Sequence, residues 1–118
     1  MSRILFIYQS CPYNGARAKD GIDATLVASA FGQEVSVLFS GDAVYQLIAA
    51  QNAAQFGAKS IDKLIRSFDL YDVKKIFVEK SALRTRGVQE SALSVEAIVL
   101  EQSDIQSLLH QHDIVMSF

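Results

Sequence analysis

Short apolar runs alternate along this chain with amphipathic segments, and this alternation limits the possible folds more than any other feature. The run R-I-L-F-I-Y at residues 3–8 is apolar throughout after its arginine, which is typical of a strand covered on both faces. The predicted strands are residues 3–8, 35–39, 75–78, 94–100 and 114–118. Strands that alternate with helices favour a parallel sheet between two helical layers. We therefore predict an α/β fold: a single domain over residues 1–118, with three α/β/α layers and a mostly parallel five-stranded sheet in a flavodoxin-like arrangement.

The predicted helices follow from apolar residues at helical spacing and from capping residues. They cover about residues 16–31, a segment that starts at Asp42 as N-cap, residues 60–68, and a last segment from Ser103 to about residue 111. Gly32 is predicted to end the first helix, and residues 51–58 are predicted to be a loop or a frayed helix. The residues predicted to face the core are Ile22, Leu26, Val27 and Ala30, then Val44, Leu47 and Ile48, then Ile61, Leu64, Ile65 and Phe68, and finally Ile105, Leu108 and Leu109.

Composition excludes several classes of protein. The chain has 118 residues and a formal net charge of -2, and its eleven Lys and Arg are spread among thirteen acids. A protein that binds RNA by itself normally has a basic face, which this distribution of charge does not predict. Its single cysteine, Cys11, excludes an intramolecular disulfide and a cysteine-based zinc site within one chain. The first residues are too soon interrupted for a signal peptide, and no apolar run approaches the ~20 residues that span a bilayer. We expect a cytoplasmic protein with a reduced thiol.

The segment K-I-F-V-E-K-S-A-L-R-T-R-G-V at residues 75–88 is the most informative for function. A short buried strand is followed by a helical turn, which Ser81 is predicted to cap and Gly87 to end. Arg84 and Arg86 follow the carboxyl end of the strand, where open α/β sheets usually keep their sites. At the centre of the strand stands Phe77, which packs but offers no nucleophile.

Several pieces of the chain, in order, resemble the TusC/DsrF family, the C-type subunits of bacterial sulfur-relay complexes within the DsrE/DsrF-like superfamily. The pieces are R-I-L-F-I-Y, D-G-I-D-A-T-L-V-A-S-A, G-D-A-V-Y-Q-L-I, D-L-Y-D, S-A-L-R-T-R-G-V and H-D-I-V-M-S-F. The resemblance runs the full length, and it is the order and spacing of the pieces, rather than any one of them, that is specific.

The resemblance implies a role in 2-thiolation of the tRNA wobble uridine. In such complexes, B-, C- and D-type subunits assemble as a dimer of heterotrimers, and the D-type subunit carries sulfur as a cysteine persulfide toward a downstream acceptor protein. The D-type cysteine falls where this chain has Phe77. The resemblance therefore implies a structural or regulatory subunit, with the chemistry in a sister chain. We expect no cofactor or metal, and no direct binding to tRNA or membrane. A DsrF-like role in sulfur oxidation is the alternative within the family.

Cys11 and the two arginines each leave two interpretations open. Cys11 is either a sulfur carrier, with its pKa lowered by Arg17 and Lys19, or a loop cysteine without a partner. Arg84 and Arg86 either bind a phosphate or a persulfide-bearing partner, or are solvated charges or ion-pair partners of Glu79 or Glu90.

Other residues carry weaker hypotheses. Tyr45, Phe56, Phe68 and Tyr71 are predicted to belong to the core or to a subunit interface. His110 and His112 do not share a helix face, which favours a role at the helix C-terminus over metal ligation. Residues 9–15 form a glycine-containing loop that a flavodoxin-like domain would use for phosphate, but the loop lacks G-x-G-x-x-G.

Overall fold

The computed structural model describes residues 2–11, 16–48, 61–73 and 75–118, and for residues 61–63 the backbone alone. The strands are β1 (Arg3–Tyr8), β2 (Glu34–Phe39), β3 (Lys75–Glu79), β4 (Ile98–Leu100) and β5 (Ile114–Ser117). The α-helices are α1 (Arg17–Ala30), α2 (Ile61–Arg66), α3 (Lys80–Thr85) and α4 (Gln102–His110), and 3₁₀ helices cover Gly41–Leu47, Ser67–Tyr71 and Glu90–Ala92. The predictions for residues 51–58, Phe56 and the side chain of Ile61 lie outside the described residues.

The five strands form one parallel sheet in the order β4-β3-β2-β1-β5, which confirms the predicted α/β class. From β1 the chain steps outward through β2 and β3 to β4, and then returns to the other side of β1 to place β5. In flavodoxin the order is 2-1-3-4-5, with the reversal between β1 and β3. Here the reversal lies between β1 and β5, so the carboxyl end of β1 stands at the topological switch point.

The larger part of the core lies on the face of the sheet covered by α1, α2 and α3. Tyr8 is buried there, with its ring edge-on to Phe39 at a centroid distance of 4.9 Å. Its hydroxyl is hydrogen-bonded to Thr25 Oγ1, and Thr25 Oγ1 donates to the Gly21 carbonyl at 2.8 Å. Burial raises the pKa of Tyr8, and the bond to Thr25 opposes that shift only in part. The hydroxyl pair thus satisfies the polar atoms that β1 and α1 bury between them.

Glycine at position 21 allows α1 to approach the sheet closely. A Cβ at Gly21 would lie 3.0 Å from Phe118 Cβ and 3.2 Å from Tyr8 Cε1, which is closer than ordinary van der Waals contact. The buried residues of α1 are Ala18, Gly21, Ile22 and Thr25. The prediction that Val27 and Ala30 face the core is therefore wrong. Both residues are exposed, because the helix turns its small residues toward the sheet.

The opposite face of the sheet is covered by α4. Leu5, Leu38, Phe77 and Leu108 form the buried cluster there, with Ile105 and Leu109 packed against it. Phe77 is 8% exposed, so its side chain is enclosed between the sheet and the helix. The prediction that Phe77 packs is confirmed.

Three local predictions are wrong in detail. Asp42 does not cap an α-helix, because the segment after β2 is the 3₁₀ helix Gly41–Leu47 with Ser40 at its N-cap position. The predicted fourth strand at 94–100 is shorter than expected, because only Ile98–Leu100 belongs to the sheet as β4. The amide of Ser94 donates instead to the Leu47 carbonyl at 2.7 Å. Ser103 does not cap α4, because Glu101 and Asp104 form a capping box instead.

The turn after α3 combines one wrong and one confirmed prediction. Ser81 lies inside the first turn of α3, whose N-cap position is Glu79. Gly87 ends the helix at φ +65, with its amide bonded to the Arg84 carbonyl and the Val88 amide bonded to the Leu83 carbonyl. This is the Schellman arrangement, in which a left-handed residue is most easily supplied by glycine. The turn fixes the position of Arg86, immediately before Gly87.

Candidate functional site

The carboxyl ends of β1, β2 and β3 bring Cys11, Asp42 and Arg86 to one edge of the sheet, and we call these residues the edge cluster. Cys11 follows β1, Asp42 follows β2, and Arg86 follows the short helix after β3. Because neighbouring parallel strands end at the same edge, residues far apart in sequence meet there. The three segments come close together at Gly41. A Cβ atom added to this glycine would lie 3.9 Å from both Arg86 Nη2 and the Gln9 carbonyl oxygen.

Arg86 is held in an ion pair with Asp42. Its Nε and Nη2 each lie 3.0 Å from Asp42 Oδ1, and its Nη1 donates to the Ala82 carbonyl at 3.3 Å. The Arg86 side chain is 23% exposed, whereas that of Asp42 is 58% exposed. The partner of Arg86 is thus Asp42 rather than Glu79 or Glu90, and Glu79 instead accepts a hydrogen bond from Ser40 Oγ at 3.3 Å. Arg84, by contrast, is exposed on α3.

The backbone of residues 9–11, which includes Cys11, is anchored to two other segments. Gln46 is completely buried, and its Nε2 donates to the Ser10 carbonyl at 2.8 Å. The Gln9 amide donates to the Phe118 carbonyl at 2.9 Å. These bonds fix the backbone up to Cys11, whose side chain is partly exposed. Cys11 therefore stands at the topological switch point in a defined position.

The electrostatic surroundings of Cys11 disfavour its thiolate. Partial burial raises the pKa of Cys11, and the Asp42 carboxylate raises it further. The expected lowering by Arg17 and Lys19 is not seen, because Arg17 is exposed and Lys19 lies 3.4 Å from Asp23. Activated cysteine nucleophiles have cationic surroundings. The edge cluster thus holds a thiol that is mostly protonated at neutral pH.

We expect the substitution Asp42→Asn to lower the pKa of Cys11. The carboxylate repels the thiolate, so its removal favours the charged form and moves the midpoint of thiol reactivity to lower pH. The alkylation rate of Cys11 by iodoacetamide, measured against pH, gives this midpoint. Glu34→Gln is the control. Glu34 is the first residue of β2 and so lies at the amino ends of the strands, whereas the edge cluster lies at their carboxyl ends. An unchanged midpoint for Asp42→Asn would contradict the assignment.

The two arginines are expected to differ in their contribution to stability. Arg86→Ala removes the ion pair that ties α3 to the 3₁₀ helix Gly41–Leu47 and should lower the free energy of unfolding by about 1 kcal/mol, because Asp42 remains well solvated. Arg84→Ala changes an exposed side chain two residues away and should stay within about 0.5 kcal/mol. Chemical denaturation of both variants measures the difference, and equal losses would argue against a structural role for the Arg86 pair.

The remaining predicted site residues do not belong to the edge cluster, although Tyr45 shares a 3₁₀ helix with Asp42. Phe77 is enclosed on the face under α4. Tyr45 is half-buried in the 3₁₀ helix Gly41–Leu47. His112 Nδ1 lies 2.7 Å from the Leu108 carbonyl oxygen, which fits the predicted role at the end of α4, while His110 is exposed.

Sequence analysis missed the roles of Asp42 and Gln46. The sequence predicts Asp42 as a helix cap, and Gln46 stands in the piece G-D-A-V-Y-Q-L-I with no predicted role of its own. The available signal was the predicted adjacency of parallel strands, which places the residues after β2 beside those after β1 and β3. In the part of the chain that the structure describes, no group of three or more His, Cys, Asp and Glu could hold a metal ion. Among the same residues, no helix is long and apolar enough to cross a membrane.

Comparison with known proteins places the whole chain beside one family. The model of the DsrE/DsrF-like family matches residues 2–118. A curated relative, "Protein TusC homolog" from Vibrio vulnificus strain CMCP6, is 34% identical over 118 residues and covers 100% of both chains. A protein of the same name from Vibrio parahaemolyticus is 33% identical over the same 118 residues, again covering 100% of both chains.

A solved structure shares the fold at low sequence identity. The crystal structure of the ychN protein from E. coli superposes with a TM-score of 0.88 and covers 100% of both chains, at 14% identity. At this level of identity, the similarity extends to the five-stranded architecture and carries no information on activity.

Proposed function

Because the chain belongs to the DsrE/DsrF-like family, and within it to the TusC homologues, we propose that it is a non-catalytic subunit of a cytoplasmic sulfur-relay complex. The observation that carries the proposal is the full-length similarity to TusC homologues. Its biological role is then 2-thiolation of the tRNA wobble uridine. The complex assembles with B- and D-type sister subunits as a hetero-hexamer and passes sulfur to a downstream acceptor protein.

The proposed lack of catalysis has two physical supports. By the resemblance, the D-type cysteine falls at Phe77, which is enclosed under α4 and has no lone pair to attack a persulfide. The one thiol, Cys11, has a raised pKa and thus little thiolate. A subunit of this kind contributes interface area and shape to its neighbours.

Exposed apolar side chains on β5 support a role as a subunit. β5 is an edge strand that pairs only with β1 in the sheet. Its residues Ile114, Val115 and Met116 are apolar, yet they are 44%, 42% and 43% exposed. β5 carries none of the charges or prolines with which monomeric proteins protect their edge strands. We also propose Arg84, exposed on α3, as a contact to a partner protein.

The content of 2-thiouridine in tRNA tests the proposed biological role. Nucleoside mass spectrometry on tRNA from cells that lack this chain should show loss of wobble 2-thiouridine, with recovery when the chain is restored. Normal 2-thiouridine in the deletion strain, together with impaired growth on reduced sulfur compounds, would favour the alternative role in sulfur oxidation.

A further inference from the structure

A groove outside the edge cluster runs between α2, the 3₁₀ helix Ser67–Tyr71 and the segment 90–98, with a volume of about 1010 Å³. Small-molecule pockets usually have volumes of roughly 300–1,000 Å³, so the groove is large enough for a segment of polypeptide. The lining residues in the described part of the chain are Ile65, Arg66, Asp69, Val73, Ile76, Glu90 to Ser91 and Leu93 to Ile98.

The floor of the groove is apolar. Ile65 and Val73 lie beneath it and are only 0% and 1% exposed, so the accessible part of the floor is Ile76 of β3, which packs against the same core cluster and is partly exposed. Leu93 and Val95 line the opposite wall and are partly buried. Ile98, at the start of the edge strand β4, is 53% exposed. Apolar side chains of an incoming segment would therefore find a surface to bury against.

The rim of the groove is acidic. Asp69, Glu90 and Glu96 line it and are exposed. Within the described residues, none of these three carboxylates lies within 4.0 Å of a Lys, Arg or His nitrogen. Arg66 is the cation that lines the groove among those residues, and it already interacts with another group. Among the described residues, the rim thus presents carboxylates without a cationic partner beside partly exposed apolar side chains.

We propose that this groove binds a basic, amphipathic segment of a partner protein. The apolar side chains of that segment lie against Ile76, Leu93, Val95 and Ile98. Its Lys or Arg residues face the acidic rim. Charge complementarity selects the occupant, because the same carboxylates repel phosphate-bearing ligands such as RNA. The inference does not depend on the proposed sulfur-relay role, since it rests on the groove alone.

Fluorescence anisotropy with a labelled amphipathic helical peptide of lysine and leucine tests the proposal. The double variant Glu90→Lys with Glu96→Lys should weaken peptide binding by about 10-fold or more, because two favourable charge contacts become repulsive. Glu34→Lys is the control: it makes the same change at a single residue at the amino end of β2, where Glu34 pairs with Arg3, and should leave binding within about 2-fold.

A second peptide and a milder variant keep the test decisive. A peptide of glutamate and leucine should bind far more weakly than the lysine peptide, and high salt should reduce the difference. If the lysine double variant fails to fold, Glu90→Gln with Glu96→Gln removes the charges without repulsion and should still weaken binding about 3-fold. Equal binding of both peptides, or an equal loss in Glu34→Lys, would overturn the proposal.

Discussion

Substitution of Phe77 by alanine is expected to lower the free energy of unfolding by about 3–5 kcal/mol. The phenyl ring is 8% exposed and packs with Leu5, Leu38 and Leu108 between the sheet and α4. Truncation removes these contacts and leaves a cavity, because β3 is held by β2 and β4 on both sides and cannot collapse into it. The midpoint of urea denaturation measures the loss.

The same substitution at an exposed phenylalanine provides the control. Phe31 follows α1 and is 79% exposed, so Phe31→Ala should change the free energy of unfolding by less than about 0.5 kcal/mol. Similar losses at both positions would contradict the packing described for Phe77. We also expect Phe77→Cys to be destabilised and to accept no sulfur, since the side chain at this position points under α4.

Under the proposed subunit role, sulfur transfer through the reconstituted complex is expected to be independent of Cys11. Cys11→Ser should leave the transfer rate within about 2-fold, because the thiol is mostly protonated and Asp42 disfavours its thiolate. Replacement of the D-type cysteine by serine should reduce transfer by roughly three orders of magnitude or more, as loss of a nucleophile does. Release of radiolabelled sulfur from a persulfide donor to the acceptor protein measures both rates.

The opposite pattern would identify Cys11 as a sulfur carrier. A large loss in Cys11→Ser, with a labelled persulfide recovered on this chain, would contradict a purely structural subunit. Thermal unfolding of the Cys11→Ser variant serves as the control for folding, because the side chain is partly exposed and its replacement should leave stability nearly unchanged.

The sheet was predictable because its central strands are buried on both faces. β1 and β2 are almost fully buried, and a continuous apolar run in the sequence predicts a strand of this kind. The end of α1 at Gly32 and the end of α3 at Gly87 were also predictable, since glycine at the positive φ of a C-terminal turn is a local preference.

The details that sequence patterns missed depend on contacts between distant segments. The segment 94–97 looks like a strand by its apolar residues, but the bond from Ser94 to the Leu47 carbonyl holds it away from the sheet. Val27 fits the apolar stripe by spacing, yet α1 turns Gly21 and Thr25 inward to meet Tyr8.

The candidate site shows the same limit. The location of Cys11 and Arg86 at the carboxyl edge followed from the order of strands and helices. Their surroundings did not, because Asp42 and Arg86 are 44 residues apart and no local pattern pairs them. The direction of the Cys11 pKa shift depends on that same carboxylate and so required the three-dimensional structure.

Native mass spectrometry of this chain, alone and co-expressed with B- and D-type sister subunits, tests the central claim most directly. The proposed subunit role predicts a stable hetero-oligomer that contains equal copies of the three chains, and self-association of this chain when it is alone, because β5 leaves apolar side chains exposed. A chain that remains a monomer or a homo-oligomer in the presence of both sisters would contradict it.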